Sequence, residues 1–406
     1  MTALGRELQQ RGHRVTQVQI LDAKKQALAA GFDFQVIGES EFPLGSVTKR
    51  FARLGQLTGL AAVRYTVSII QQAAIMVLRD APKAIKDAGI EALLVDQVSA
   101  EGATVAEFLD IPFVTVCNAL LLNQEPGIPP FVTPWQHNSA WWALVRNGIT
   151  YSVLEAIAQP IQTVIEKYRR QWQLPLYKNV NDVFSQLAQI SQQPAEFEFP
   201  RQQLPKVFHF TGPFHNIASR EPVSFPFEKL TGQPLIYASM GTLQNRRQEI
   251  FRCIASACEG LDAQLVISLG GADSPDSVPE LPGSPLVVRY APQLELLKKT
   301  TLTITHAGLN TALESLSNGV PMVAIPITND QPGVAARLAW TGAGEFVPLS
   351  SLNVPKLRAA IQQVLTEDSY KNQASRLQDA IARAGGVRRA ADIVEQAIST
   401  GKPVYG

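Results

Sequence analysis

The chain has 406 residues, of which 46% are apolar, enough for two domains with packed cores. Lys and Arg number 36 against 35 Asp and Glu, a formal charge of +1, so the basic excess of a nucleic-acid-binding protein is missing and no nucleic-acid partner is expected. Cys117, Cys253 and Cys258 are odd in number and form no Cys-x-x-Cys pair, which argues against a disulfide framework or a zinc site and for a reducing compartment.

From the start, helix-like and strand-like segments alternate. The first twelve residues read as an amphipathic helix, Leu4 to Gln10, closed by Gly12, and not as the apolar core of a signal peptide. Val15 to Ile20 and Phe34 to Ile37 are β-rich runs. Tyr65 to Leu78 is the most apolar stretch, but it is short and carries Gln71 and Gln72, so it is not expected to span a bilayer. The expected setting is the cytoplasm, with at most a peripheral membrane contact. Ala81 to Ala88 is helical. Ala92 to Val95 is a short strand ending at Asp96, Thr104 to Leu109 is a helix, and Phe113 to Cys117 is the next strand.

The stretch from Pro213 to Pro234 is rich in Pro, Ser and Phe and reads as an interdomain linker. The alternation then resumes. Strands are expected at Leu235 to Ala238, Gln264 to Leu269, Leu286 to Arg289, Leu302 to Thr305 and Met322 to Ile325. Helices are expected at Gln248 to Glu259, Leu294 to Lys298, Leu309 to Ser317 and Val334 to Thr341, with two long helices finishing the chain. This order predicts parallel sheets covered on both faces.

The strongest chemical signal is Thr305-His306-Ala307-Gly308-Leu309-Asn310-Thr311-Ala312-Leu313-Glu314. A buried strand ends at His306, Gly308 allows a tight turn, and a helix begins at once. The first N–H groups of that helix lack internal partners and carry the positive dipole end, a ready site for phosphate. Asn310 and Thr311 add side-chain donors, and Glu314, one turn on, can accept from a vicinal diol such as a ribose. Read alone, the segment is equally an ordinary strand-to-helix turn. Downstream, Asp330-Gln331-Pro332 could cap the next helix or grip sugar hydroxyls at the strand ends, where open α/β sheets bind ligands.

Tyr290-Ala291-Pro292-Gln293, His306 to Glu314 and Asp330-Gln331 resemble the donor-binding signature of the UDP-glycosyltransferase superfamily, whose fold is GT-B: α/β, with two Rossmann-like domains facing across a cleft. Leu187 to Ser191, Phe199-Pro200-Arg201, Ala238 to Gln244, Asp330 to Ala335 and Asn123 to Gly127 are similar to segments of the zeaxanthin glucosyltransferases. The resemblance implies an acceptor-binding domain over residues 1–212, a linker at 213–234, a nucleotide-sugar-binding domain over 235–385, and a last helix at 386–406 returning to the first domain. It implies transfer of a hexose, glucose by the subfamily, from a UDP-sugar to a hydroxyl of a hydrophobic acceptor, with inversion. Tyr290 would stack on uracil and Gln293 would meet its edge. Ser239 and Thr242 would flank the diphosphate. His306, Asn310 and Thr311 would bind the phosphates on the turn at Gly308, with His306 offsetting charge on the departing UDP. Glu314 would hold the ribose, and Asp330 and Gln331 the sugar. No metal or other cofactor is expected, since a helix terminus and a histidine take that place and no Asp-x-Asp pair is set up for one.

Inversion needs a general base at the acceptor hydroxyl. In the family this is a His after the first strand, oriented by an Asp that Asp96 matches; the other reading of Asp96 is a solvated strand-end carboxylate. Met1 to Gly5 resembles the helix that follows the catalytic loop, so the strand and its His are expected upstream of Met1, leaving strand edges uncovered. His13 sits in the turn after that helix, at the opposite edge of the sheet, and reads as a polar turn residue. The aromatic cluster of Phe131, Trp135, Trp141 and Trp142 is either acceptor pocket or ordinary core; the subfamily resemblance favours a carotenoid acceptor. Four alternatives remain: glycosylation of another lipophilic natural product, a chain that binds donor without turnover, an epimerase of the same fold, and an oxidoreductase. Against the last, no Gly-x-Gly-x-x-Gly follows a strand; Leu269-Gly270-Gly271-Ala272 lacks the helix and acidic partner.

Overall fold

The computed structural model describes residues 1–57, 59–215, 223–241, 248–271, 274–275 and 278–406, with the side chain of Phe51 excepted. In chain order its elements are α1 (Thr2–Gln10), β1 (Thr16–Gln19), α2 (Lys24–Ala29), β2 (Asp33–Val36), α3 (Ser46–Leu54), α4 (Gly59–Asp87), β3 (Leu93–Asp96), α5 (Ala100–Leu109), β4 (Phe113–Cys117), α6 (Trp141–Gln171), β5 (Gln189–Ser191) and β6 (Phe208–Phe210). They continue with β7 (Leu235–Ser239), α7 (Gln248–Cys258), β8 (Gln264–Ser268), β9 (Leu286–Val288), α8 (Gln293–Leu296), β10 (Thr300–Thr305), α9 (Leu309–Ser317), β11 (Met322–Ala324), α10 (Gln331–Trp340), β12 (Gly344–Phe346), α11 (Val354–Thr366), α12 (Asp368–Ala384) and α13 (Gly386–Thr400).

All strand pairs are parallel, as the alternation requires. The C-terminal half holds a six-stranded sheet of order β12-β11-β10-β7-β8-β9. Its central strand β7 is buried along its whole length, because helices cover both faces and a polar face would have no water to meet. The strand order reverses between β7 and β10. At such a switch point the two connections leave on opposite faces and open a crevice at the carboxyl ends of the strands.

In the N-terminal half the order is β3-β4-β5-β6, with β1 and β2 forming a separate pair. The edges of β1 and β3 that face away from their partners have no strand beside them among the described residues. The last helix, α13, packs its Ala390, Ile393, Val394 and Ala397 with Leu4 and Leu8 of α1 and with Val114 and Val116 of β4.

Several expectations are corrected. The apolar stretch Tyr65 to Leu78 is not short in structural terms: it lies inside the 29-residue α4, which is long and apolar enough to cross a membrane by length and composition. Three helices, not two, end the chain, because Gly385 in a left-handed conformation (φ 90°) separates α12 from α13. The 31-residue α6 and the three-residue strands β5, β6 and β12 were not expected. Of the linker stretch, residues 216–222 lie outside the described residues.

Candidate functional site

The switch-point crevice holds the sequence motif. Ser239 ends β7 and pairs in register with Thr305, the end of β10; His306 follows directly. The turn into α9 is made by Ala307, whose φ is 64°, whereas Gly308 has an ordinary φ of −63° as N-cap. Gly308 is therefore needed for space and not, as expected, for the turn. A Cβ there would lie 2.6 Å from His306 Nε2, and one on Gly241 would lie 2.7 Å from Cε1 of the same ring. The imidazole is thus held between two backbones that only glycine permits so near. Burial pushes the His306 pKa down to about 4, against a smaller upward pull from a hydrogen bond with the Ser239 backbone. At neutral pH the ring is uncharged in the unliganded site.

Along α9, Asn310 is exposed and Thr311 and Glu314 are buried. Glu314 Oε2 accepts from Gln293 Nε2 at 2.7 Å, and Gln293 Oε1 accepts from the Tyr237 hydroxyl at 3.1 Å. A carboxylate only 1% exposed needs such a donor. His215 Nδ1 is 3.9 Å from Glu314 Oε1 and its Nε2 is 2.9 Å from Ser317 Oγ. Tyr290 is 45% exposed, and its hydroxyl lies where a Cβ on Gly271 would fall. Thr242 lies outside the described residues.

The other wall belongs to the N-terminal half. Gln192, just past β5, donates to Asn310 Oδ1 at 2.9 Å. Leu120 N donates to Asp330 Oδ2 at 3.3 Å. Asp330 precedes α10 but makes no side-chain cap bond, so the cap reading is set aside. Gln331 departs from expectation: its Oε1 accepts from Ile327 N and Thr328 N at 2.9 and 3.0 Å, leaving only its amide N–H groups for a ligand. The two halves are clamped by the buried pair Glu198–Arg337, with Arg337 Nε 2.9 Å from Glu198 Oε1, and by the bond from Gly333 N to Phe131 O at 3.1 Å.

Asp96 closes β3. It accepts from Asn118 Nδ2 at 2.8 Å and from Val98 N at 3.2 Å. None of the five histidines pairs with it: His13, His137, His209, His215 and His306 bond respectively to Glu395, Gly127 O, Val404 O, Ser317 and Thr305. His13 faces α13, as its turn position implies. Phe131 packs on the core formed by α9 and α10, and Trp135 lies under the Arg146 guanidinium, 4.0 Å from its ring centroid. Trp141 is 76% exposed on the outer surface of α6, so the reading of it as ordinary core is set aside. Gln192, His215, Tyr237 and Gly241 are site residues that sequence reasoning missed. Only Gly241 carried a signal, inside a segment already singled out.

Among the described residues, no three His, Cys, Asp or Glu side chains cluster as metal ligands. The sequence matches the model of the UDP-glucoronosyl and UDP-glucosyl transferase family over residues 1–382. It is 33% identical over 403 residues to a zeaxanthin glucosyltransferase of Pantoea ananas, covering 99% of this chain and 93% of that one. To a zeaxanthin glucosyltransferase of Pseudescherichia vulneris it is 31% identical over 404 residues, covering 99% and 95%. Among solved structures, the calicheamicin glycosyltransferase superposes with a TM-score of 0.75 at 21% identity, covering 99% of this chain and 95% of that one, a likeness of fold, which is GT-B. With its family match spanning nearly the whole length, the chain belongs to the UDP-glucoronosyl and UDP-glucosyl transferase family and is a glycosyltransferase.

Proposed function

We propose that the chain moves glucose from UDP-glucose to a hydroxyl of a hydroxylated carotenoid, with inversion and without a metal or other cofactor, in the cytoplasm. The observation that carries the donor half is the β10–α9 turn at the switch point, with His306 held between two glycines and Glu314 bonded to Gln293. The helix terminus and imidazole offer neutral and dipolar donors to a diphosphate; Glu314 offers acceptor oxygens to a ribose; Tyr290 offers an open ring to a base. The acceptor half draws on the names of the two relatives and on the apolar packing of Phe131 against the core of α9 and α10.

Inversion would follow from in-line attack by an acceptor hydroxyl held on the N-terminal wall, opposite the diphosphate on α9, the glycosidic bond forming as the bond to the diphosphate breaks and the hydroxyl proton passing to a general base at the Asp96 end of β3. Asp330, held at Leu120 N between the two walls, stands where the transferred sugar would pass, together with the amide of Gln331. His306, Asn310, Thr311 and Ser239 surround the departing diphosphate.

Glu314→Ala is expected to weaken UDP binding about tenfold or more, the effect of losing a charged hydrogen bond. Calorimetry with UDP is the check, and unchanged affinity would remove Glu314 from the site. Asp330→Ala is expected to reduce UDP-glucose turnover while UDP affinity stays within about twofold, since its carboxylate reaches only the sugar. An equal fall in both would make Asp330 a purely structural contact between the halves.

A second reading, donor binding without turnover, is favoured by one observation: Asp96 has Asn118, not an imidazole, as its partner. UDP binding by a chain that releases no UDP when acceptor and UDP-glucose are both supplied would establish it. UDP release without acceptor would point to chemistry on the donor alone.

A further inference from the structure

The first halves of α4 and α6 carry an apolar surface that is left exposed among the described residues. Gln71 Nε2 of α4 donates to Pro160 O of α6 at 3.2 Å, while Lys86 at the end of α4 and Trp172 after α6 both lie against Phe108. The two helices therefore run side by side in the same direction, and their N-terminal halves project together. In α6, Trp141, Val145, Ile149 and Val153 recur every four residues and are 76%, 52%, 62% and 51% exposed. This stripe is roughly 18 Å long at 1.5 Å per residue. Beside it, Leu60 and Val63 of α4 are also exposed. Large contiguous apolar surface of this kind marks an interaction site.

Charge tells which kind. The chain has 35 Asp and Glu, yet none falls between Phe42 and Arg79 or between Pro126 and Leu154, the segments that form α3 and the first halves of α4 and α6. The same segments carry Lys49, Arg50, Arg53, Arg64 and Arg146, and none of these makes an ion pair among the described residues. A second copy of this face would bring like charges together. A bilayer with anionic lipid meets both features: its headgroups take the cations and its acyl boundary takes the apolar stripe, with Trp at the interface. Spanning is ruled out for α4, because its second half is locked into the protein through Met76, Leu78, Ala81 and Ile85.

We propose that the α3–α4–α6 face is a docking surface for a bilayer containing anionic lipid. The proposal deepens the reading of a lipophilic acceptor and rests on it for its purpose. The face joins the cleft directly: Asn147 and Tyr151 of α6 bond to the carbonyls of Pro126 and Ile128, and Phe131 of the same segment meets Gly333 across the cleft. An acceptor leaving the acyl layer would reach the transfer site along protein, without crossing water.

The test is sedimentation of the full chain with vesicles of phosphatidylcholine, with and without phosphatidylglycerol, alongside UDP calorimetry and size-exclusion light scattering. The expected result is binding to the anionic vesicles that weakens in salt. Val145→Glu with Ile149→Glu is expected to lower partition at least about tenfold, with UDP affinity unchanged. Because that variant could fold poorly, Lys49→Gln with Arg64→Gln provides a separate check: it should weaken the preference for phosphatidylglycerol and its salt dependence. No vesicle binding, binding indifferent to both variants, or a dimer that the glutamates dissociate without any vesicle binding would overturn the proposal. Absence of UDP binding in every form would instead count against the donor reading and leave the vesicle result standing.

Discussion

Glu198→Gln is expected to lower the stability of the folded chain by about 3–5 kcal/mol, the effect of leaving one member of a buried ion pair uncompensated. Glu198 is 6% exposed and Arg337 1% exposed. Glu198 Oε1 takes Arg337 Nε at 2.9 Å, and Gln193 Nε2 donates to its other oxygen at 2.7 Å. Arg201 Nε lies 3.6 Å from the same carboxylate, and the Arg337 guanidinium stacks 4.3 Å from the Phe199 ring centroid. Burial alone would push the Glu198 carboxyl up, but Arg337 and Arg201 outweigh it and hold it below the ordinary value of 4.5. Between the lowered folded value and the ordinary one, the unfolded chain binds more protons, so stability rises with pH there. The contribution is fully present above the ordinary glutamate range and is lost as pH falls through the folded value. Urea denaturation at neutral and acid pH checks this: the difference between parent and variant should be large at pH 7 and shrink in acid. Pairing Glu198→Gln with Arg337→Met should recover part of the loss, since Arg337 is then no longer stranded and only Arg201 keeps an uncompensated charge. A single variant as stable as the parent would show that the cluster adapts without the carboxylate.

The same pair bears on function through α10. Asp330 and Gln331 stand at the start of that helix and Arg337 lies two turns on, so the clamp fixes the start of α10 against the segment after β5. A loosened clamp should raise KM for the donor before it alters the chemistry.

How much of this was legible depends on distance along the chain. β4 and α9 fall on the expected bounds because each is a contiguous apolar run or periodic stretch between clear stops. β5, β6 and β12 have three residues each, too few for any period to emerge. α6 was missed for a different reason. Its outward face is apolar, so the polar contrast that reveals a surface helix is absent. The site divides likewise. The β10–α9 turn is contiguous and was read, whereas Gln293–Glu314, Gln192–Asn310 and Glu198–Arg337 join residues 21, 118 and 139 apart, and nothing local marks them. The tight turn expected at Gly308 is made at Ala307 instead: a glycine before a helix suggests a backbone requirement, while here the neighbouring imidazole sets the limit.

His306→Ala is expected to reduce transfer about 10²–10³-fold in kcat, the cost of deleting a preorganised donor aimed at developing charge. The ring stands between Gly241 and Gly308 at the N-terminus of α9, where on the proposed donor reading the departing diphosphate would gain its negative charge. Because burial holds the pKa near 4, the imidazole meets the donor as a neutral N–H group, and a nearby diphosphate then raises its proton affinity. Ground-state binding should therefore change less than turnover: KM for UDP-glucose within a few-fold, kcat reduced by orders of magnitude. His306→Gln keeps a neutral N–H and should restore part of the loss, which a purely charge-based role would not allow. Gly308→Ala makes the complementary test. Its Cβ would fall 2.6 Å from Nε2, so the ring must swing away, and kcat should fall although the imidazole is still present. Steady-state release of UDP with an acceptor supplied measures all three. Retention of more than about a third of the parent rate by His306→Ala would leave the diphosphate to the helix terminus alone, and the two glycines would then have to be explained by packing.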